Sequence, residues 1–380
     1  MPAKFVLIGS GLAGGLLAAY LGRRGYEVDL HERRADPREG NIVGGRSINL
    51  AISTRGIHAL EQIGIADEAL RHAIPMRGRM IHDKAGALHF APYDVDPKNC
   101  INSIGRASLN TTVIEAAQRY PSVRVHFNRK CTDVDLTEAV CRLETETGKL
   151  AVRGDAVIGV DGAFSAVRAS MQRNIDSFQY NESYLAHGYK ELTIPPAPDG
   201  SWLIEKNALH IWPRKSFMMI ALPNPDGSFT YRDRVCLLGD AAHAVVPFYG
   251  QGMNAAFEDC IVLDECLDKF ADNRERAFAE YFERRKENAD ALADLAIGNF
   301  IEMRDKTASR AFRAKKKLDH LLEAALPGVY LPLYTLVTFT RIPYAQAARR
   351  ARLQDRILYA ALVLIGILAL AVLLALSQRQ

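Results

Sequence analysis

The chain has 380 residues, room for two domains or one large domain with an appendage, and its 48% apolar content supplies a sizeable core. A net charge of +4 with no concentrated basic face argues against a nucleic-acid protein. The six cysteines, Cys100, Cys131, Cys141, Cys236, Cys260 and Cys266, form no C-x-x-C pair and no metal-spaced cluster, so reduced thiols, no metal and no signal peptide are expected.

In chain order, residues 1–35 read as β-α-β. Lys4 to Ile8 is a short apolar strand and Leu16 to Leu21 a helix. Between them, Gly9-Ser10-Gly11-Leu12-Ala13-Gly14 fits G-x-G-x-x-G in the strand–turn–helix setting that the motif needs. Gly9 permits the tight turn, Gly11 lets backbone approach a pyrophosphate, and Gly14 lets helix and strand pack closely. The helix N-terminus offers free N–H groups to phosphates. A second strand, Glu27 to His31, ends at Glu32, 23 residues beyond Gly9 and placed to accept from a ribose.

A strand or turn at Arg46 to Ser53 precedes helices at Thr54 to Ile63 and Asp67 to Ala73. Met80 to His82 and Leu88 to Phe90 read as strands and Ser108 to Gln118 as a helix. Val123 to Asn128, Cys131 to Asp135, Cys141 to Glu144 and Ala156 to Val160 are strands, the last ending at Asp161-Gly162. Tyr189 to Ile194, Ala208 to Trp212 and Phe217 to Leu222 suggest an antiparallel sheet. Gly252 to Phe270 and Arg274 to Gly298 are long helices. Alternating βαβ at both ends around an inserted sheet implies an α/β domain assembled from separated segments.

A second glycine signal lies at Val235-Cys236-Leu237-Leu238-Gly239-Asp240, where Asp240 can accept from a sugar or polyol hydroxyl. Pro247 to Asn254 then forms a turn into a helix, and Gly250 and Gly252 let N–H groups approach a ring or its polar chain. Together the two signals point to one flavin dinucleotide held at both ends, and so to a redox enzyme. His243 reads as a structural histidine at a helix start and Glu258-Asp259 as a solvated helix face. Arg79 suits bidentate carboxylate binding, though alone it reads as a surface arginine. Tyr93, Asn299 and Tyr334 likewise read as packing or rim residues.

Ile357 to Leu376 is a run of 20 residues without charge, amide or proline, preceded by Arg349, Arg350, Arg352 and Arg356. At about 1.5 Å per residue it matches a bilayer core of roughly 30 Å. A single-pass C-terminal transmembrane helix is expected, with its basic side and the main domain facing the cytoplasm.

With these residues assembled, the sequence resembles the class A flavoprotein aromatic hydroxylases and, within them, the kynurenine 3-monooxygenase family. The general signatures are Gly9-x-Gly11-x-x-Gly14, Asp161-Gly162 and Gly239-Asp240. The narrower ones are Gly45 to Leu50, Met76-Arg77-Gly78-Arg79-Met80, His187 to Leu192, Ala208 to Pro213, and Val337-Thr338-Phe339-x-Arg341-x-Pro343-Tyr344. The resemblance implies bound FAD, NADPH and O₂ as co-substrates, and L-kynurenine hydroxylated beside its aryl amine. No side chain is then catalytic, because a flavin C4a-hydroperoxide carries the chemistry. It implies that Arg79 and Tyr93 hold the substrate carboxylate, with Asn299 and Tyr334 beside them. Gly9, Gly11, Leu12, Ala13, Gly14, Glu32, Arg33, Arg106, Asp161, Gly239, Asp240, Pro247, Gly250, Gly252, Met253 and Asn254 would bind the cofactor. No second Rossmann motif appears for NADPH. In a eukaryote the implied membrane is the outer mitochondrial one.

The expected division has FAD-binding segments at 1–75, 101–180 and 231–270, substrate-domain segments at 76–100 and 181–230, a helical region at 271–350 and the transmembrane helix at 357–376. One departure from the family pattern stands out. Only Tyr231 to Arg234 join Thr230 to Val235, where the family has a long stretch of substrate-domain strands and a helix. A shortened substrate domain is therefore expected.

Overall fold

The computed structural model describes residues 2–39, 49–71, 73–178, 180, 182, 202–214, 218–221, 235–243, 249–270, 273–306 and 309–377. Its first half contains β1 (Lys4–Ile8), α1 (Leu12–Arg23), β2 (Glu27–His31), β3 (Asn49–Ile52), α2 (Thr54–Gln62), α3 (Ala66–Leu70), β4 (Ile74–Met76), β5 (Gly78–His82), β6 (Leu88–Pro92), β7 (Ile101–Gly105), α4 (Arg106–Gln118), β8 (Val123–His126), β9 (Lys130–Asp135), β10 (Val140–Thr145), β11 (Gly148–Arg153), β12 (Ala156–Gly159) and α5 (Ala166–Asn174). The second half contains β13 (Ala208–Pro213), β14 (Met218–Ala221), β15 (Val235–Leu237), a 3₁₀ turn at Gly239–Ala241, α6 (Gly252–Phe270), α7 (Arg274–Ile301), a π turn at Glu302–Lys306, α8 (Arg310–Ala325), α9 (Leu333–Thr338) and α10 (Tyr344–Ser377).

The central sheet has five strands in the order β15-β12-β1-β2-β8, and every pairing in it is parallel. Its strands are mostly apolar because both faces are covered. Phe5, Leu7, Val28, Leu30 and Ile158 pack on one side with α1, α4 and α6. Val6, Ile8, Val157 and Leu237 pack on the other with α5 and the small antiparallel sheet β11-β10-β9.

This strand order explains how signals more than two hundred residues apart meet. Gly239, Asp161, Gly9 and Glu32 each follow the C-terminal end of β15, β12, β1 or β2, four adjacent strands. The crevice outside the carboxyl ends of parallel strands is where open α/β sheets bind ligands.

A second sheet, β14-β13-β5-β6, holds Arg79 on β5. The antiparallel pairing expected of Ala208 to Trp212 with Phe217 to Leu222 is present as β13 and β14, and β6 runs antiparallel to β5, while β13 runs parallel to β5, so the sheet as a whole is mixed. The chain enters β13 from a distant segment rather than through a hairpin, so nothing forces alternation. The strand expected at Tyr189 to Ile194 lies outside the described residues, as do the motifs at 45–48 and 187–192.

The expected transmembrane stretch falls on the second half of α10. Its described part is exposed all round, from Ile357 (61%) through Val363 (63%) to Leu368 (57%). Among the described residues, no helix is long and apolar enough to cross a membrane. The side chains of residues 369–370 and 372–377 lie outside the described residues.

Candidate active site

The cleft at the strand ends is lined by Gly9, Gly11, Leu12 and Ala13 from the first loop and by Glu32, Arg33 and Arg34 after β2. Arg106, Asp161, Gly162, Asp240 and Met253 complete it. The glycines divide the work as their motif requires. Gly9 sits at φ +106°, and a Cβ there would lie 2.6 Å from the Val160 carbonyl oxygen. A Cβ on Gly14 would lie 1.9 Å from the Gly9 carbonyl oxygen. Both therefore serve loop geometry. A Cβ on Gly11 would meet nothing within 4 Å and would project into the cleft, which is the open approach a pyrophosphate needs.

Glu32 is buried and ties the loop to β2. One carboxylate oxygen accepts from Ser10 N–H at 2.9 Å, the other from Arg34 N–H at 3.0 Å. Asp161 caps the following helix by accepting from Ser165 Oγ at 2.6 Å and Ala166 N–H at 2.7 Å. Burial lifts its pKa above the ordinary carboxylate value despite these bonds. Arg33, Arg34, Arg106, Arg129 and Lys130 bring five cations to the cleft, suited to a dianionic pyrophosphate.

Three expected cofactor residues are not among those lining this cleft. Asn254 is fully buried, and its amide is spent on backbone: Oδ1 accepts from Ser53 and Gly56 N–H, while Nδ2 donates to the Ala51 and Gly250 carbonyls. Gly250 lies at φ +66° with Ala51 Cβ 3.2 Å from where its own Cβ would be. Gly252 starts α6. Pro247 lies outside the described residues.

Arg79, Tyr93, Asn299 and Tyr334 come together although four elements supply them. Arg79 Nη2 donates to Asn299 Oδ1 at 3.4 Å, and its guanidinium carbon lies 4.8 Å from the Tyr334 ring centroid. Tyr93 stacks on Tyr334 at 5.0 Å, and Tyr249 also stacks on Tyr334, at 5.7 Å. Arg79 is 7% exposed, which rules out a surface arginine. Burial opposes its charge, but Tyr334 and Glu302 outweigh this and hold its pKa above the ordinary value. Burial likewise raises Tyr93, Tyr249 and Tyr334, so all three phenols stay protonated.

Sequence reasoning missed Glu302. Its carboxylate lies 3.4 Å from Arg79 Nη1 and 3.5 Å from Lys316 Nζ. It opens the π turn directly after α7, three residues beyond Asn299, and nothing in the sequence marks that break in helical register. Strand β3 joins the two regions, with Leu50 in the cleft and Ala51 packed on Met76 and Tyr93.

Glu258 and Asp259 do not form a solvated face. Asp259 is fully buried and Glu258 partly so, and both pair with Arg285. Cys100, Cys131, Cys141, Cys260 and Cys266 are free thiols.

The FAD binding domain family model matches residues 3–216 and 229–296. Kynurenine 3-monooxygenase of Myxococcus xanthus is 42% identical, with 92% of this chain and 89% of that one aligned. The Anopheles gambiae enzyme of the same name is 38% identical over 100% of this chain and 90% of its own. This chain belongs to the kynurenine 3-monooxygenase family.

Members of the kynurenine 3-monooxygenase family bind FAD and use NADPH, and the cleft fits the flavin dinucleotide. Solved structures agree on the fold. PqsL of Pseudomonas aeruginosa superposes with a TM-score of 0.60 at 18% identity, covering 83% of this chain and 100% of that one. Tetracycline destructase Tet(51) gives 0.59 at 17%, covering 90% and 100%.

The shortening is visible in the same alignments. That with the Myxococcus protein runs over 414 positions yet takes in 92% of a 380-residue chain, so about 60 positions have no counterpart here. The family model breaks between 216 and 229, beside the short Thr230–Val235 junction.

Proposed function

We propose that this protein is an FAD-dependent monooxygenase that uses NADPH and O₂ to convert L-kynurenine to 3-hydroxykynurenine. The observation that carries the reading is the buried cluster of Arg79, Tyr93, Asn299 and Tyr334 beside the flavin cleft, in a chain alignable to kynurenine 3-monooxygenases over nearly its whole length. When bound, the reduced flavin supplies the oxygen-activating chemistry.

The chain's own residues bind, orient and exclude water. Gly11 and the N-terminus of α1 receive the pyrophosphate, Glu32 the ribose, and Asp240 the polyol chain. Arg79 holds the substrate carboxylate by a charge-assisted fork, with Tyr93 as a second donor. Arg79 and Glu302 present opposite charges to a ligand that carries both. An α-amino acid can put its carboxylate on the first and its ammonium on the second. The stacked Tyr93, Tyr334 and Tyr249 wall off water from the reacting ring.

The apolar, exposed stretch of α10 beginning at Ile357 is read as a membrane anchor, supported by the uncharged run to Leu376 and the arginines before it. The missing stretch of about 60 positions favours a second reading, a protein that binds flavin without turnover. One assay separates the two. The purified, FAD-loaded protein should oxidise NADPH faster when L-kynurenine is added. A yellow protein whose NADPH oxidation ignores kynurenine would be the silent form.

A further inference from the structure

We propose that Asp259 is a positioning residue for the flavin, fixing the Gly239–Asp240 turn from behind while Arg285 fixes Asp259. Asp259 does not line the cleft. It sits on α6, fully buried, and one carboxylate oxygen accepts from Gly239 N–H at 3.0 Å. That same oxygen is paired with His243 Nε2, four residues further along the turn. The other oxygen accepts from Arg285 Nε at 2.6 Å.

The turn needs such a hold. Gly239 lies at φ +55°, in the left-handed region, and the place of its absent Cβ is 3.1 Å from Ala256 Cβ and 3.3 Å from Ala13 Cβ. Backbone there is squeezed between α1 and α6, with no room for a side chain to lock it. Its buried N–H would lack a partner without Asp259. Asp240, the next residue, reaches the cleft. Displacement of the turn therefore moves Asp240 relative to the flavin.

The hold is itself anchored. Arg285 is 3% exposed, bonds Glu258 Oε2 at 2.6 Å and the Ala255 carbonyl at 3.3 Å, and so cannot swing away. Glu258 Oε1 meets Arg55 Nη1 at 2.5 Å, and Arg55 lies 4.1 Å over the Tyr344 ring and donates to the Val337 and Ile342 carbonyls. A chain of buried charges thus runs from the flavin's turn to the segment after α9, the helix that carries Tyr334.

A buried ion pair held only for packing can be exchanged for apolar residues of similar shape without loss of stability. A positioning carboxylate cannot be exchanged in this way without loss of FAD affinity, because the Gly239 N–H loses the acceptor that holds the turn. The test compares the parent with Asp259→Asn and with the double variant Asp259→Leu/Arg285→Met. The readouts are thermal midpoint, FAD dissociation constant by flavin fluorescence, and the visible circular dichroism of bound flavin. Asp259→Asn should bind FAD at least about tenfold more weakly, with an altered flavin dichroism. The double variant should regain the parent's thermal midpoint but not its FAD affinity. Asp259→Asn within about twofold of the parent in affinity, or a double variant that regains both properties, would overturn the proposal. So would failure of both variants to fold, since the carboxylate would then serve the fold alone. The parent's own flavin content reports separately on the cofactor assignment.

Discussion

Arg79 shows how little one residue type says and how much its surroundings add. In the sequence it is an arginine in Met-Arg-Gly-Arg-Met, indistinguishable from a surface charge without the family resemblance. In the structure it is 7% exposed, flanked by two tyrosine rings and an asparagine brought from distant elements. Removing it leaves a bound carboxylate partly buried and unpaired, at a cost of about 2–5 kcal/mol. Arg79→Ala should weaken kynurenine binding by roughly thirtyfold or more, since ~1.4 kcal/mol is about tenfold. Arg79→Lys should rescue only part, because lysine lacks the planar fork. FAD content should stay the same in both. A kynurenine titration of Arg79→Ala within about twofold of the parent would place the substrate elsewhere. His31 gives a second prediction at this scale. It is buried at the end of β2 beside the cleft, stacked on His126 at 4.8 Å, and neither ring nitrogen has a hydrogen-bond partner. Burial first, then His126, brings its pKa from 6.5 down to about 3. The folded state thus binds fewer protons than the unfolded one, and stability falls as pH drops from 6.5 toward 3. His31→Phe, at equal FAD load, should lose less stability than the parent between pH 7 and about 4.5, by roughly 2 kcal/mol, and its thermal midpoint should fall less. Parallel midpoint curves would show that His31 does not titrate as described.

At the scale of elements, what could be read was what local physics dictates. The turn after β1 was legible because three glycines at fixed spacing between a strand and a helix have a stated mechanical purpose, and the structure gives Gly9 and Gly14 close backbone neighbours and leaves Gly11 open. The pairing of β15 with β12 was legible only indirectly, through two similar strand-end signals. Other elements carried no such mark. Ile74–Met76 is three residues with a central proline, and it becomes β4 only by pairing with β7. α8 and α9 follow a π turn that interrupts the helical register at Glu302. Glu258 and Asp259 were misread because adjacent acids suggest solvent, yet Phe257, Cys260 and Leu263 around them bury α6 on nearly every side. An acid that such packing takes out of water must be paired. α10 is the converse case, an apolar surface with no cover on its described part. Ending the chain before Ile357 should leave a protein that stays in the supernatant without detergent and keeps its FAD. Full-length protein that also stays in the supernatant after membrane sedimentation would contradict the anchor.

At the scale of the molecule, the flavin cleft and the substrate cluster are built from separate parts that depend on each other. The cleft lies at four strand ends of one parallel sheet, while the substrate cluster draws on a second sheet, α7 and α9. Strand β3 and the buried charge chain through Arg285 are the contacts that tie them. In chain order the short Thr230–Val235 junction stands between β14, an edge of that second sheet, and β15 of the parallel sheet. The family resemblance assigns the missing stretch to the substrate domain, so coupling of oxygen activation to the substrate is expected to suffer more than FAD binding. The decisive measurement is product analysis after turnover under ¹⁸O₂ with NADPH and L-kynurenine. The account predicts 3-hydroxykynurenine carrying one ¹⁸O atom, formed in proportion to the NADPH consumed. NADPH oxidation that yields only hydrogen peroxide, with no labelled 3-hydroxykynurenine, would contradict it.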